Sequence, residues 1–186
     1  LNAGEYYLKE TKAPKGYAIA DEVTKFSIAA DTTTEKTVQD GAKYTIDPLS
    51  VQKVDKDTGL PKAGGNATLA GAEFQIAYYA GQYTKDNLPE KPTRVWNVRT
   101  DESGAINLEN ARDATEKYLV KDGSDEFFVS PDGKVVFPLG TITIKETKAP
   151  QGYLIADDNA DGVDDDIALL NITSDNVNEQ YGTSLD

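Results

Sequence analysis

The chain writes nearly the same words twice, "YLKETKAPKGYAIAD" over 7–21 and "TIKETKAPQGYLIAD" over 143–157. Laying Glu10 on Glu146 sets an offset of 136 (146 − 10) and brings Gly4 onto Gly140, Pro14 onto Pro150, Tyr17 onto Tyr153 and Asp21 onto Asp157. Repeated words repeat local structure, because the same propensities and turn residues act in both copies. Words this far apart cannot belong to one element, so they mark two units of one architecture. Whatever precedes the motif in the second copy has no counterpart in the first. The expected organisation is therefore the C-terminal part of a first unit at 1–48 and a second, nearly complete unit at 49–186. The joint falls at "DPLS", where Pro48 suits a short extended linker.

Between the repeats, short runs rich in Thr, Val, Ile and Tyr alternate apolar with polar residues, the period of strands with one buried face. Turn words separate them: "KDTG", "DESG", "SPDG", "APKG", "APQG". One stretch, "NLENARDATEKYL", suits a short helix. The pattern predicts an all-β sandwich with at most a turn or two of helix. "LAGAEF" places small residues where sheets approach closely, and "APQGY" turns the chain sharply and packs Tyr153 on the sandwich. Trp96, Tyr78, Tyr79 and Tyr83 suit core packing, with an exposed carbohydrate platform as the alternative.

Composition removes several function classes. A net charge of −13 lacks the Lys and Arg clusters that phosphates demand, so no nucleic acid is expected as partner, and an anionic membrane surface would repel this segment. There is no His and no Cys, which takes away the imidazole base of Ser and Cys hydrolases, thiolate metal sites and disulfides. With no Met and no hydrophobic signal or spanning segment, the chain reads as a piece of something longer whose export signal and anchor lie elsewhere.

Two apolar stripes end in a charge. Alternation in "LSVQKVD" puts Leu49, Val51 and Lys53 on one face, and in "TITIKET" puts Ile142, Ile144 and Glu146 on one face, with Tyr6, Leu8 and Glu10 repeating the pattern. A buried lone ammonium or carboxylate costs several kcal/mol or more, so each must find a partner or sit at a strand end and reach water.

Those words, "LSVQKVDKDTG", "LAGAEFQI" and "GTITIKETKAPQGYL", resemble the Cna B-type (SpaA-like) repeat of Gram-positive cell-wall surface proteins and pilins, over 49–186 in full motif order and over 1–48 as a truncated copy. The resemblance implies a transthyretin-like β-sandwich and a spontaneous isopeptide bond from Lys to Asn or Asp, promoted by a Glu. By position, Lys53 is the implied nucleophile, Lys56 the lesser candidate, and Glu146 the promoting carboxyl, with Glu10 its equivalent in the truncated repeat. Burial suits that chemistry by favouring the neutral forms of an amine and a carboxyl enclosed together. The implied acceptor lies on the last strand. In the first copy it is Asp40 or Asp47; in the second, "TSLD" against "TVQD" nominates Asp186, and alternation in "IALLN" nominates Asn171.

An acidic stretch occurs in only one copy. Matching Asp31 with Asp175 gives an offset of 144 (175 − 31), so eight residues have been added after Asp157. Within "DDNADGVDDD", Asp157, Asn159, Asp161 and Gly162 follow the D-x-N-x-D-G opening of calcium loops. Ala168 stands where an EF-hand has its bidentate Glu, so Asp164 or Asp165 would complete the shell. A weak Ca²⁺ site is one reading and a solvated acidic hairpin the other; no other cofactor is expected.

The function expected from these features is a stalk segment of an extracellular, wall-attached adhesin or pilin, with neighbouring domains of the same protein as its partners. The alternative is an adhesin module whose 78–130 insertion contacts host protein or glycan. An enzyme is not expected, since self-crosslinking is a single turnover.

Overall fold

The computed structural model describes residues 1–12, 23–37, 44–45, 49–130, 132–155, 167–173, 175 and 182–185. Strands β1 (Gly4–Leu8) and β2 (Thr24–Ile28) form an antiparallel pair with Gly4 opposite Ile28 and Leu8 opposite Thr24. Short β3 (Tyr44–Thr45) leads towards β4 (Leu49–Lys53). Then come β5 (Glu73–Tyr79), β6 (Arg94–Arg99), β7 (Ala105–Leu108), helix α1 (Ala111–Lys117), β8 (Leu119–Val120), β9 (Phe137–Pro138), β10 (Gly140–Lys148), β11 (Ala168–Ile172) and β12 (Gly182–Leu185).

Two sheets make the sandwich. One is five-stranded in the order β11-β10-β5-β6-β8 with every neighbour antiparallel. The other is three-stranded, β12-β4-β7, with β12 parallel and β7 antiparallel to β4. The sequence repeat reappears as strand register. Gly140 faces Ile172 and Ile144 faces Ala168, the pairing of β1 with β2 moved by 136 on the first strand (140 − 4) and 144 on the second (172 − 28). In sequence, the eight added residues fall between the paired strands β10 and β11.

Alternation decides what is enclosed. Phe74, Ile76 and Tyr78 of β5, Trp96 and Val98 of β6, and Ile142 and Ile144 of β10 meet Leu49, Val51, Ile106 and Leu108 of the smaller sheet, all in one buried cluster. Trp96 is fully buried, stacked on Phe127 and edge-on to Phe137, while the Tyr78 hydroxyl donates to the Leu139 carbonyl at 2.8 Å. These two aromatics are core, not platform. Gly140 is required by close approach: a Cβ there would run into the Tyr79 carbonyl and come within 2.6 Å of the Tyr78 ring.

Strands β6 and β7 lie inside 78–130, where "RVWNVR" and "AINL" contribute Trp96, Val98, Ile106 and Leu108 to the core. The helix forms within the expected segment, capped by Asn110, whose side chain accepts from the Arg112 and Asp113 amides. Tyr44 and Thr45, ahead of the expected joint at 48, pair with Pro138 and Phe137 of β9.

Candidate functional site

Lys53 ends β4 in one sheet and Glu146 lies in β10 of the other, and the core between them brings their charges together. Lys53 Nζ donates to Glu146 Oε2 at 2.9 Å, with the residues only 4% and 8% exposed. Neither charge reaches water: the chain stays buried past Lys53 through Val54 and Asp55, and Glu146 is itself enclosed although Thr147 and Lys148 beyond it are exposed. Lys56, in the next turn, is exposed.

Removing an ammonium and a carboxylate from water costs several kcal/mol each, and mutual attraction repays it only if the remaining lone pairs are also satisfied. Here they are not. Glu146 Oε1 is buried and, among the described residues, has no hydrogen-bond partner. An orphaned buried oxygen costs about 1–3 kcal/mol. The pair thus leaves room in its hydrogen bonding for a third polar group at Oε1.

Asn171 is not that group. In β11 it stands opposite Thr141, on the face of β10 that carries Thr141 and Thr143, whereas Ile142, Ile144 and Glu146 face the core. Its carbonyl accepts from Thr141 Oγ1 at 2.6 Å and its amide donates to the Tyr83 carbonyl at 3.2 Å. Five strand positions separate Thr141 from Glu146, about 17 Å at the usual rise. Because "IALLNI" has apolar residues at both parities, Ile167 and Leu169 on one and Ala168, Leu170 and Ile172 on the other, pairing with β10 shows that Ala168, Leu170 and Ile172 face inward.

Asp40, Asp47 and Asp186 lie outside the described residues. The backbone of β12 runs beside β4 with Leu185 level with Lys53. Glu10, two residues past β1, is half-buried. Asp157, Asn159, Asp161, Asp164 and Asp165 also fall outside the described residues. Among those that are described, no group of three or more Asp, Glu, His or Cys could hold a metal ion.

Sequence reasoning missed Asp55. This carboxylate, 8% exposed, accepts from the Thr58 amide and hydroxyl through Oδ1, both at 3.0 Å, and from the Tyr153 hydroxyl through Oδ2 at 2.7 Å. Tyr153 is set in place by a turn in which its amide donates to the Pro150 carbonyl at 3.1 Å, with Gly152 at φ +93°, a conformation that favours glycine. Gly64 closes the group by donating its amide to the Tyr153 hydroxyl oxygen at 3.2 Å. The Tyr153 hydroxyl, then Thr58, hold the Asp55 carboxyl below the usual aspartate range. The same bond to Asp55 pushes the Tyr153 phenol up. The available signal was the "DKDTG" word itself: an Asp opening a Thr-Gly turn can accept from that turn's amide and hydroxyl through one oxygen, which leaves the other for a partner.

Set against known proteins, residues 1–42 match the sequence model of the SpaA family, described as a prealbumin-like fold domain. No curated protein matches the chain. Among solved structures, the Bacillus anthracis TIE protein aligns over 99% of this chain and 24% of its own, with 22% identity and a TM-score of 0.49. A streptococcal ancillary pilin aligns over 100% of this chain and 45% of its own, with 13% identity and a TM-score of 0.36. The chain thus spans less than half the length of either protein. The hairpin inside the matched segment is the one whose register recurs at 140–172. Residues 1–42 thus match SpaA-like domain sequence, and their motif words and hairpin register recur at 140–172 in an all-β sandwich.

Proposed function

We propose that this chain is a stalk segment of a Gram-positive cell-surface adhesin or pilin, extracellular and wall-attached, whose sandwich is closed by a self-formed isopeptide bond from Lys53. The observation that carries the reading is the buried Lys53–Glu146 contact with Oε1 left over. A salt bridge kept only for stability gains little from such burial, since apolar residues of similar volume do as well or better. A reacting pair needs it.

In the reaction, Lys53 passes a proton to Glu146 and the neutral amine attacks the side-chain carbonyl carbon of an Asp or Asn. The Glu146 carboxyl, now protonated, polarises that carbonyl through a hydrogen bond. A C–N bond forms, the C–O bond of an Asp carboxyl or the C–N bond of an Asn amide breaks, and Glu146 relays the second amine proton to the departing group. Water leaves from Asp and ammonia from Asn. The product is an amide within the chain and nothing is regenerated, so the protein is no enzyme. Neighbouring domains of the same surface protein are its partners in this reading.

Intact-mass spectrometry tests it. The folded chain is expected to weigh less than its sequence by one water or one ammonia, and Glu146→Gln is expected to keep the full mass and the fold. A folded wild-type chain at full mass would overturn the proposal.

A further inference from the structure

We infer that Tyr153 and Asp55 form a positioning latch for the Lys53–Glu146 pair, an inference that rests on the function proposed above. Asp55 follows Lys53 by two residues, and Tyr153 follows Glu146 by seven, so the latch ties the exits of the two strands that carry the pair. Those strands belong to opposite sheets. At this end of the sandwich the 2.7 Å bond between Tyr153 and Asp55 crosses the same gap as the 2.9 Å contact between Lys53 and Glu146.

Both halves of the latch are rigid. Asp55 cannot swing, because Thr58 holds its other oxygen twice, and its backbone closes a turn through Gly59 N–H to Asp55 O at 2.8 Å and Asp55 N–H to Leu60 O at 2.9 Å. Tyr153 stands on a turn whose Gly152 lies so close to Ala67 that a Cβ would come within 2.7 Å of it. That turn is further pinned by the Thr68 amide, which donates to the Gln151 carbonyl at 3.1 Å. The clamp therefore transmits position from the end of β10 to the end of β4 through hydrogen bonds held at both ends.

Position matters more to attack than to stability. An amine must come within about 3–3.5 Å of a carbonyl carbon along the right line, and a displacement of about 1 Å can cost about 100-fold in rate. A hydroxyl removed from a half-buried ring leaves the core unchanged. The latch accordingly predicts a slow-bonding but folded Tyr153→Phe.

Two measurements on the full chain test this. In cell-free synthesis followed by timed intact-mass spectra, Tyr153→Phe is expected to lose water or ammonia at least tenfold more slowly than wild type. Asp55→Asn, which keeps its oxygen for Thr58 and can offer its amide N–H to the Tyr153 hydroxyl oxygen, is expected to bond faster than Asp55→Ala. Asn110→Ala removes the cap of α1 beside the opposite end of β4 and is expected to lower the melting temperature without slowing the bond. In hydrogen exchange, the Lys53 and Asp55 amides, bonded to the Gly104 and Leu60 carbonyls, are expected to exchange faster in Tyr153→Phe. Wild-type bonding speed in Tyr153→Phe would overturn the positioning role, and unchanged exchange would overturn the latch itself. A wild type that never loses mass would instead overturn the proposed function, and the positioning role with it, while the exchange data still read the clamp.

Discussion

Replacing Lys53 by Met separates the buried charge from the covalent bond. The substitution leaves the Glu146 carboxylate 8% exposed with both oxygens deprived, since Oε2 loses its 2.9 Å donor and Oε1 has none among the described residues. Breaking a buried pair from one side costs about 3–5 kcal/mol. Losing the cross-link adds a second cost. A bond from Lys53 to the last strand closes a loop of about 130 residues, which by chain-entropy reasoning stabilises by about 5 kcal/mol, less if the unfolded chain is compact. Lys53→Met/Glu146→Leu removes the stranded carboxylate as well, so it recovers the first cost and not the second. Denaturant titration of wild type, Lys53→Met and the double variant is the assay, with a mass spectrum for each. The expected order of stability is wild type, then the double variant about 4–5 kcal/mol lower, then Lys53→Met a further 3–5 kcal/mol down. If the double variant matched a cross-linked wild type, the bond would not stabilise the fold. If Lys53→Met equalled the double variant, the argument from a stranded buried carboxylate would be wrong.

Three further outcomes are expected. Gly152→Ala forces a side chain to φ +93° with its Cβ 2.7 Å from that of Ala67, and should cost about 1–3 kcal/mol by thermal melt; no loss would show that the turn adapts. The Asp55 carboxyl titrates below its ordinary 3.8 in the fold, so its contribution is complete above that value and disappears as pH falls through the depressed one. The Tyr153 phenol is raised above 10.0, so its share holds below that value and is lost as pH rises through the raised one; Tyr153→Phe should remove the alkaline loss and shrink the acid one, and an unaltered pH–stability profile would contradict the linkage. For the acidic stretch 157–165, millimolar calcium should raise the melting temperature with affinity of about 10⁻⁴ to 10⁻³ M, an effect abolished by Asp157→Ala or Asp161→Ala; calorimetry without heat would leave a solvated hairpin.

Much of the architecture was legible because it is local or repeated. The offset of 136 at Gly4 and Gly140, and of 144 after the eight added residues, is the register of two hairpins, and a sequence comparison of the chain with itself reads it directly. Period-two alternation gave the inward stripes of β4 and β10, because side chains on a strand alternate whatever the strand later pairs with. It did not show which strands pair. "RVWNVR" and "AINL" find their partners, β5 and β4, only in the folded sheets. "IALLNI" has apolar residues at both parities, so its pairing with β10 was needed to turn Asn171 away from Glu146. The contacts that define the site join residues 93 and 98 positions apart across the gap between sheets. Such contacts depend on how two sheets stack, a property of the whole core that no local pattern contains. The sequence by itself thus determined the repeat, the strands and the charged ends of the stripes; the tertiary structure decided that Lys53 meets Glu146 and that Tyr153 fastens Asp55 beside them.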